Sequence, residues 1–314
     1  MKKGIKVVLI ALSIIVILLF AIFINHKIQL KKESELLSPM GQLVEVDGHK
    51  MSVYIEGNGE RTIVFLSGGG TSSPMLDFKS LYSLLSDDYK IVVVEKFGYG
   101  FSDVVDKERD VASVLADTRA ALAAAGVEGP YILCPHSMSG IEALYWAQQY
   151  PEEVSAIIGL DMAVPAAYGD YQINSLMLKL SQFAAHSGII RLLPGVAESE
   201  AMKYGTLTEE EKEIYKAVFF SRTATITMMN EVGSIKENAK VVEAAGIPEV
   251  PMLFFVSNGI GTGWEEEAWR NYQKDYIQEV SNGRLVELDC SHYVHDHEYE
   301  LIAEEMADFI SSSL

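Results

Sequence analysis

The sequence predicts an α/β protein with a mostly parallel, eight-stranded sheet and a helical insertion, preceded by one transmembrane helix. Eight short runs rich in β-branched and apolar residues predict the strands, and helical patterns separate most of them. Strands that alternate with helices form parallel sheets with right-handed crossovers. A long apolar run near the N-terminus predicts the transmembrane helix.

The apolar run covers residues 7–24, and Ser13 is its one polar side chain. As a helix it would span about 27 Å, close to the hydrocarbon thickness of a bilayer. It is longer than the ~7–15 apolar residues of a signal peptide, and no small-residue cleavage site follows it. We therefore expect an uncleaved, single-pass anchor in the cell membrane rather than a cleaved signal peptide or a buried core helix.

Lysines flank the anchor on both sides, so the positive-inside rule is nearly balanced, and only the α-amino group favours a cytoplasmic N-terminus. The flanking lysines are Lys2, Lys3, Lys6, Lys27, Lys31 and Lys32. We expect the globular domain to lie outside the cytoplasm. The predicted organisation is a short basic N-terminus at 1–6, the anchor at 7–24, a polar linker at 25–40 and one globular domain at 41–314.

Charge and cysteine content narrow the possible functions. Residues 1–32 hold six lysines and no acid, which leaves 19 basic against 44 acidic residues in the rest of the chain, a formal charge of −25. Such a surface repels nucleic acid, so no nucleic-acid partner is expected. The two cysteines, Cys134 and Cys290, fall at the ends of predicted core strands, which favours buried free thiols over a disulfide.

Taken in order, the strands begin with a hairpin, in which residues 42–46 and 51–55 are joined by Asp47-Gly48. Most of the six later strands are nearly all apolar, as expected for strands covered on both faces. They are predicted at 62–66, 90–94, 131–134, 156–160, 252–256 and 285–288. Helices are predicted at 110–125, 140–150, 265–279 and 299–310.

Residues from about 165 to 245 contain helical patterns and no convincing strand, which predicts a lid above one end of the sheet. Its apolar positions include Leu176, Met177, Leu180, Phe183, Ile189, Ile190, Leu192, Leu193, Phe219, Phe220, Met228 and Met229. Each is expected to pack the lid against the core. The methionines and phenylalanines could instead line an adaptable pocket for an apolar acyl chain.

The segment with the most chemical information is 134–140, where a strand leads into a helix and Ser137 stands at the bend. A sharp strand-to-helix turn exposes a serine hydroxyl, which becomes a nucleophile when a base removes its proton. Ser139 is excluded as the nucleophile, because Ile141 would then occupy a position that needs a small side chain.

Four stretches, in the right order, resemble the landmarks of lid-bearing serine α/β-hydrolases, and the resemblance covers nearly all of residues 41–314. They are the glycine-rich stretch 67–70, the turn at 95–103, the serine elbow at 134–140 and the late Ser291-His292. The resemblance implies a carboxylesterase-like or lipase-like serine hydrolase that acts on a small-molecule acyl substrate without a cofactor. Related epoxide hydrolases and dehalogenases need an aspartate at position 137.

The resemblance also assigns a base and an acid to Ser137. His292 follows the last predicted strand, where the family places its base, and histidine exchanges a proton near neutral pH. His136 is expected to be an ordinary filler residue before the nucleophile. His295 and His297 are expected to cap or decorate the loop after His292. Asp161 ends the strand after the elbow and is the expected acid, since residues 256–263, the more usual location, contain no carboxylate. Glu265, Glu266 and Glu267 are the alternatives.

Backbone amides are needed to bind the negative charge that develops on the substrate oxygen. Met138, at the start of the helix after Ser137, is expected to supply one amide, and Gly69 is preferred over Gly70 for the other. No histidine pair with metal-ligand spacing is present in the sequence, so no metal is expected.

The elbow departs from the family pattern, because Pro135 and Ser139 stand where the family usually has glycine. A catalytically inactive binding module is therefore an alternative to the enzyme. Aminopeptidase, thioesterase and acyltransferase variants of the same fold are also open, because fold alone does not assign function.

Overall fold

The computed structural model of the chain describes residues 2–169 and 171–314, with side chains from Gly4 onwards. Met1 and the side chains of Lys2 and Lys3, on which part of the predicted basic N-terminus depends, lie outside the described residues.

An eight-stranded sheet forms the centre of the molecule. Its strands are β1 (Gln42–Val46), β2 (His49–Glu56), β3 (Thr62–Leu66), β4 (Lys90–Glu95), β5 (Tyr131–Pro135), β6 (Val154–Leu160), β7 (Met252–Val256) and β8 (Gly283–Glu287). Their order is β1-β2-β4-β3-β5-β6-β7-β8. Strand β2 is antiparallel to β1 and β4, and the other neighbours are parallel. The predicted mostly parallel sheet is confirmed.

Twelve α-helices are present among the described residues. They are α1 (Lys2–Glu33), α2 (Pro74–Asp77), α3 (Lys79–Tyr82), α4 (Val111–Ala124), α5 (Ser139–Gln149), α6 (Ser175–Ser187), α7 (Glu200–Lys203), α8 (Glu209–Arg222), α9 (Ile226–Ala245), α10 (Glu266–Gln278), α11 (Val294–His297) and α12 (Tyr299–Ser313). Short 3-10 turns lie at Ser34–Leu36, Pro151–Glu153, Pro165–Tyr168 and Ile189–Leu192.

Strand β3 shows why the central strands are nearly all apolar. Successive side chains of a strand point to opposite faces, so Val64 and Leu66 join one apolar cluster while Ile63 and Phe65 join another. Helices α4, α5 and α10 contribute to the first cluster, and α2, α3 and α12 contribute to the second. With both faces covered, the strand has no side that favours polar residues.

The interval between β6 and β7 is helical throughout its regular described elements, as predicted for the lid. It holds α6 to α9 and two 3-10 turns. Helix α9 is joined to the core by a buried ion pair between Glu231 and Lys96, and Lys96 also lies 3.9 Å from Glu142 of α5. The lid is thus attached to the core by charges that water does not reach.

The expectation that the apolar lid positions pack against the core is wrong for α6 and the turn behind it. Large apolar side chains are exposed at Leu176, Met177, Leu180, Phe183, Leu192 and Leu193. The reason is that α6 contacts α1 and the 3-10 turn rather than the sheet, and Ala185 is its one buried residue.

Helix α1 continues well past the predicted end of the anchor. The predicted linker at 25–40 is helical as far as Glu33, because residues 25–33 contain neither proline nor glycine and continue with good helix formers. Contact with the lid also stabilises this end, since Arg191 forms an ion pair with Glu33. The segment Gly4–Leu36 is long and apolar enough to cross a membrane, with a mean hydropathy of 3.5 in its most apolar window.

The buried pair between Lys96 and Glu231 gives a stability prediction. We expect Glu231→Gln to lower the free energy of unfolding by about 3 kcal/mol, because it leaves a buried ammonium without its nearest carboxylate. Glu237, on the same helix, forms an exposed pair with Lys240, so Glu237→Gln is the matched control and should leave the denaturation midpoint unchanged. Urea titration of both variants in detergent checks this, and equal midpoints would show that the buried pair does not hold the lid.

Candidate active site

Ser137 occupies the sharp turn between β5 and α5. Its φ of 53° lies in the left-handed region, which serine enters only where the surroundings enforce it. Two glycines make room for the turn. A Cβ on Gly68 would lie 2.7 Å from the Ser137 Cβ, and one on Gly140 would lie 2.3 Å from the carbonyl oxygen of Ala163. The serine is thereby presented at the carboxyl edge of the sheet.

The two departures at the elbow fit the structure. Pro135 is the last residue of β5, and the next amide, that of His136, donates to the Leu66 carbonyl at 2.9 Å, so the missing amide hydrogen does not break the link to β3. The Ser139 hydroxyl lies 2.6 Å from the same carbonyl oxygen and 3.1 Å from the His136 amide. Ser139 therefore ties the start of α5 to β3, a role that glycine could not fill.

The structure brings Ser137, His292 and Asp161 together. His292 Nε2 lies 2.8 Å from Ser137 Oγ, and His292 Nδ1 lies 2.6 Å from Asp161 Oδ2. Asp161 is fully buried, His292 is nearly so, and Ser137 is partly exposed. These three side chains are called the relay below, because a proton on the serine can pass to the imidazole that the carboxylate orients.

Asp161 is held by three donors besides His292. The Ser257 amide donates to Oδ1 at 2.7 Å, the Ser257 hydroxyl to Oδ2 at 2.7 Å, and the Trp269 indole to Oδ1 at 2.8 Å. Since an ionised carboxylate only accepts hydrogen bonds, its partner Nδ1 must carry a proton. Nε2 is then the acceptor that faces the serine hydroxyl.

The alternative acids lie elsewhere. Glu265, Glu266 and Glu267 are exposed at the start of α10, and Glu266 pairs with Arg270 at 3.2 Å. Helix α10 reaches the relay instead through Trp269, whose indole nitrogen bonds Asp161 and whose ring stands edge-on to His292 at 5.9 Å.

The proposed oxyanion donors border the same cavity as Ser137. Gly69 and Met138 line it, and a Cβ on Gly69 would lie 2.8 Å from the Met138 Cε. Among the described residues neither amide donates to a protein acceptor. The Gly70 amide, by contrast, donates to the Tyr99 hydroxyl at 3.4 Å, which favours Gly69 over Gly70.

The cavity above Ser137 has a volume of about 230 Å³. Its outer wall is aromatic, with Tyr171 stacked on Trp264 at 5.3 Å and Tyr168 edge-on to both. Val232 and Ile235 of α9 complete the lid side. Among the described lid residues, the phenylalanines and methionines suggested by the sequence do not line this cavity. A larger cavity of about 450 Å³ between α9 and α10 contains no relay residue.

His136 is a buried neighbour of the relay rather than a filler. Its Nε2 lies 3.1 Å from the carbonyl oxygen of His292, and its ring is 4.6 Å from the His292 ring and 4.8 Å from that of His295. Burial, with the two nearby imidazoles, lowers the pKa of His136 well below its ordinary value of 6.5. The ring therefore stays neutral and supports the loop that carries His292.

One group of side chains has the donor atoms for a metal ion. The ligand atoms of Asp77, His295 and Asp296 lie within 4.8 Å of one another and are fully buried. Asp77 already accepts from the Tyr215 hydroxyl at 3.0 Å and lies 3.1 Å from His295 Nε2. Burial and the Asp77 carboxylate raise the pKa of Asp296 well above its ordinary value. A proton on Asp296 therefore avoids a second buried negative charge beside Asp77. His295, expected to decorate a loop, is thus a core residue.

The α/β-hydrolase fold family matches the sequence over residues 61–185. The uncharacterized protein YbdG of Bacillus subtilis is 38% identical over 317 residues, an alignment that covers 98% of this chain and 97% of YbdG. The chain belongs to the α/β-hydrolase fold family.

Solved structures share the α/β-hydrolase fold at low sequence identity. The enol-lactonase of Burkholderia xenovorans has a TM-score of 0.64 at 15% identity and covers 86% of this chain and 100% of its own. A candidate lipase of Acinetobacter baumannii has a TM-score of 0.65 at 15% identity, covering 92% and 96%. A candidate epoxide hydrolase of Pseudomonas aeruginosa has a TM-score of 0.63 at 17% identity, covering 87% and 96%. These likenesses show the fold alone.

Sequence reasoning missed four supports of the α/β-hydrolase site: Ser257, Trp269, His136 and Gly68. A signal existed for Ser257, since it follows β7, where the sequence analysis sought the acid. Gly68 lay in the glycine-rich stretch already identified. Nothing in the sequence pattern singled out Trp269, because its indole reaches Asp161 from a position 108 residues later in the chain.

The neutral state of His136 predicts a pH dependence of stability. Its pKa in the folded protein is below the unfolded value, so the unfolded chain binds the extra proton first, and stability falls as pH drops through about 6.5. Between pH 6 and pH 5 this group contributes a loss of up to about 1.4 kcal/mol per pH unit. Denaturant titrations of wild type and His136→Asn at several pH values measure it. In the variant, the slope of the unfolding free energy against pH should correspond to about one proton fewer than in wild type. Equal slopes in the two proteins would contradict the neutral state of His136.

Proposed function

We propose that this α/β-hydrolase is a serine hydrolase that cleaves a carboxylic ester or related acyl bond through an acyl-enzyme at Ser137. The observation that carries the proposal is the continuous hydrogen-bonded relay from Ser137 through His292 to Asp161, at 2.8 and 2.6 Å. A buried carboxylate, an oriented imidazole and a partly exposed serine in one line are what nucleophilic acyl transfer requires.

The relay suggests a sequence of steps. His292 Nε2 accepts the hydroxyl proton as Ser137 Oγ attacks the acyl carbon, and the amides of Met138 and Gly69 donate to the oxygen that gains negative charge. His292 then gives the proton to the leaving alcohol. Water, deprotonated by His292, attacks the acyl-enzyme, and His292 returns that proton to Ser137 Oγ as the bond to the acyl carbon breaks and the acid leaves. Asp161 keeps Nδ1 protonated throughout and stabilises the imidazolium.

Ester cleavage is favoured among the reactions open to this fold. The names of two similar structures, the enol-lactonase and the candidate lipase, denote enzymes that cleave esters. The serine at 137 argues against the dehalogenase and epoxide-hydrolase chemistries, which use an aspartate there. The described residues that line the cavity include no carboxylate that could pair with the free amine of an aminopeptidase substrate.

The cavity also suggests a substrate class. Its volume of about 230 Å³ is below the ~300–1,000 Å³ typical of sites for drug-sized ligands, and aromatic and aliphatic side chains form part of its wall beside the polar relay. A short apolar acyl group fits this description better than a long chain.

We place the enzyme at the cell membrane, held by a single-pass anchor with its catalytic domain outside the cytoplasm. The apolar helix α1 supports the anchor, and the α-amino group, added to nearly balanced lysines at the two ends, favours the cytoplasmic N-terminus. Residues 41–314 would form the catalytic domain, with its lid at about 165–245.

The second candidate is a binding module that has lost its chemistry. Pro135, Ser139 and the absence of a carboxylate at 256–263 favour it. Hydrogen bonds at the elbow accommodate Pro135 and Ser139, and Asp161 Oδ2 lies 2.6 Å from His292 Nδ1, so the enzyme is the better supported interpretation.

A fluorophosphonate probe tests the nucleophile. We expect covalent labelling of the full-length protein at Ser137 and none in Ser137→Ala, because the probe reacts only with a serine that a base has activated. Ser139→Ala is the matched control, since Ser139 is a buried neighbour on the same turn, and it should still be labelled. Labelling that persists in Ser137→Ala would show that the nucleophile is another residue, and a folded wild type that never reacts would favour the binding module.

The acid is tested by Asp161→Asn with p-nitrophenyl butyrate as substrate. We expect kcat to fall by about 10⁴-fold, because asparagine offers His292 Nδ1 a donor and favours the wrong tautomer. Glu266→Gln, which alters one of the alternative acids, should leave kcat unchanged. A large loss in Glu266→Gln with normal turnover in Asp161→Asn would reverse the assignment.

A further inference from the structure

The lid has an apolar surface that the rest of the molecule does not cover. Its members are more than half exposed: Leu176, Met177, Leu180 and Phe183 on α6, and Leu192 and Leu193 at the following turn. Leu176, Leu180 and Phe183 are spaced four and three residues apart, so they form one stripe along the helix. These six side chains are called the lid patch.

Charge sets this part of the lid apart from the rest of the protein. Residues 171–197 contain no aspartate or glutamate, although the whole chain has a net charge of −19. Lys179 and Arg191 lie within the segment. An apolar, acid-free surface with basic residues suits the headgroup region of a bilayer, where acidic side chains would be repelled by anionic lipid.

The lid patch lies next to the apolar helix. Gly188, at the end of α6, touches His26 so closely that a Cβ on the glycine would lie 2.4 Å from the His26 Cβ. Arg191 Nε donates to His26 Nδ1 at 2.9 Å, and its two terminal nitrogens donate to Glu33 at 2.7 and 2.5 Å. His26 comes two positions after Ile24, the last residue of the apolar run, so the end of α6 is level with the predicted membrane surface.

One face of α1 is partly covered down into the apolar run itself. The residues of α1 that are less exposed than their neighbours are Leu19, Ile22, His26, Gln29, Leu30 and Glu33, which form one face of the helix. Among the elements that contact α1 are α6, α8 and the turn at Ile189–Leu192. Leu19 lies about 7 Å along the helix before Ile24. The lid therefore reaches to the depth at which interfacial helices bury their apolar face, ~5–10 Å.

We propose that the lid patch lies in the interfacial layer of the same bilayer that α1 crosses, with the α6 stripe inserted among the lipid headgroups and upper acyl chains. This inference rests on the membrane anchor proposed above. The occupant of the patch is lipid rather than a second protein, because the patch lies beside α1 and, like the apolar run 7–24, contains no acidic residue. The lid is then held against the membrane by two contacts, the α1 helix and the α6 stripe.

Depth-dependent quenching in vesicles tests the proposal on the full chain. Single cysteines at Leu180 and Val241 carry a bimane label; the two positions are matched in exposure, at 51% and 50%, and both lie on lid helices. Val16→Cys, within α1, reports on the anchor. The native cysteines are buried, and unmodified protein gives their background labelling. The protein is reconstituted into phosphatidylethanolamine and phosphatidylglycerol vesicles with or without doxyl-labelled lipid, and iodide probes exposure to water.

We expect doxyl lipid to quench the Leu180 label about threefold more than the Val241 label, and iodide to quench it correspondingly less. Equal quenching at the two positions, with strong doxyl quenching at Val16, would overturn the lid patch and leave the anchor intact. An unquenched Val16 label would overturn both. A third outcome is a Leu180 label that is protected from iodide, is not quenched by doxyl lipid, and loses this protection when the protein is diluted in lipid. This result would identify a second copy of the chain as the occupant and so refute the proposal.

Discussion

The hydrogen bonds around Asp161 are the constraint on which the rest of the site depends. A buried carboxylate is costly unless donors surround it. Here the donors come from three separate elements: Ser257 after β7, Trp269 on α10 and His292 after β8. The last third of the α/β-hydrolase domain is thereby arranged around one residue that directly follows β6. Asp161 itself has a φ of 48°, a strained backbone that these bonds hold in place.

The same geometry explains why the carboxylate can stand after β6 although position 257, after β7, is the more usual place. Strands β6 and β7 are parallel neighbours, with Leu160 opposite Phe255, so Asp161 and Ser257 leave the sheet side by side. A carboxylate from either strand end can reach His292. In this chain β6 supplies the charge, and Ser257 supplies two of the hydrogen bonds that keep it in position.

The sequence was sufficient to predict those elements whose local residue pattern agrees with their burial in the fold. The ends of the buried strands were predicted to within about two residues, since short apolar β-branched runs bounded by turns favour buried strands over other elements. Ser137 was named from the strand-to-helix turn, and His292 and Asp161 were named from the resemblance to serine α/β-hydrolases. Trp269 was missed because long-range side-chain contacts leave no periodic signal. The exposure of α6 was also missed, since an apolar stripe on a helix does not say whether protein or lipid covers it.

The lid is attached on two sides, and this connects the anchor to the site. Its inner side is fixed by the buried pair of Glu231 with Lys96, on the helix that also supplies Val232 and Ile235 to the cavity wall. Its outer side is fixed by Arg191, which binds His26 and Glu33 of α1 and stacks on Phe220 of α8 at 3.8 Å. A helix that crosses a bilayer would therefore orient the lid, and through it the cavity above Ser137, relative to the membrane. Tilting of α1 would be transmitted to the cavity wall through packed and charged contacts, because neither attachment includes a flexible linker.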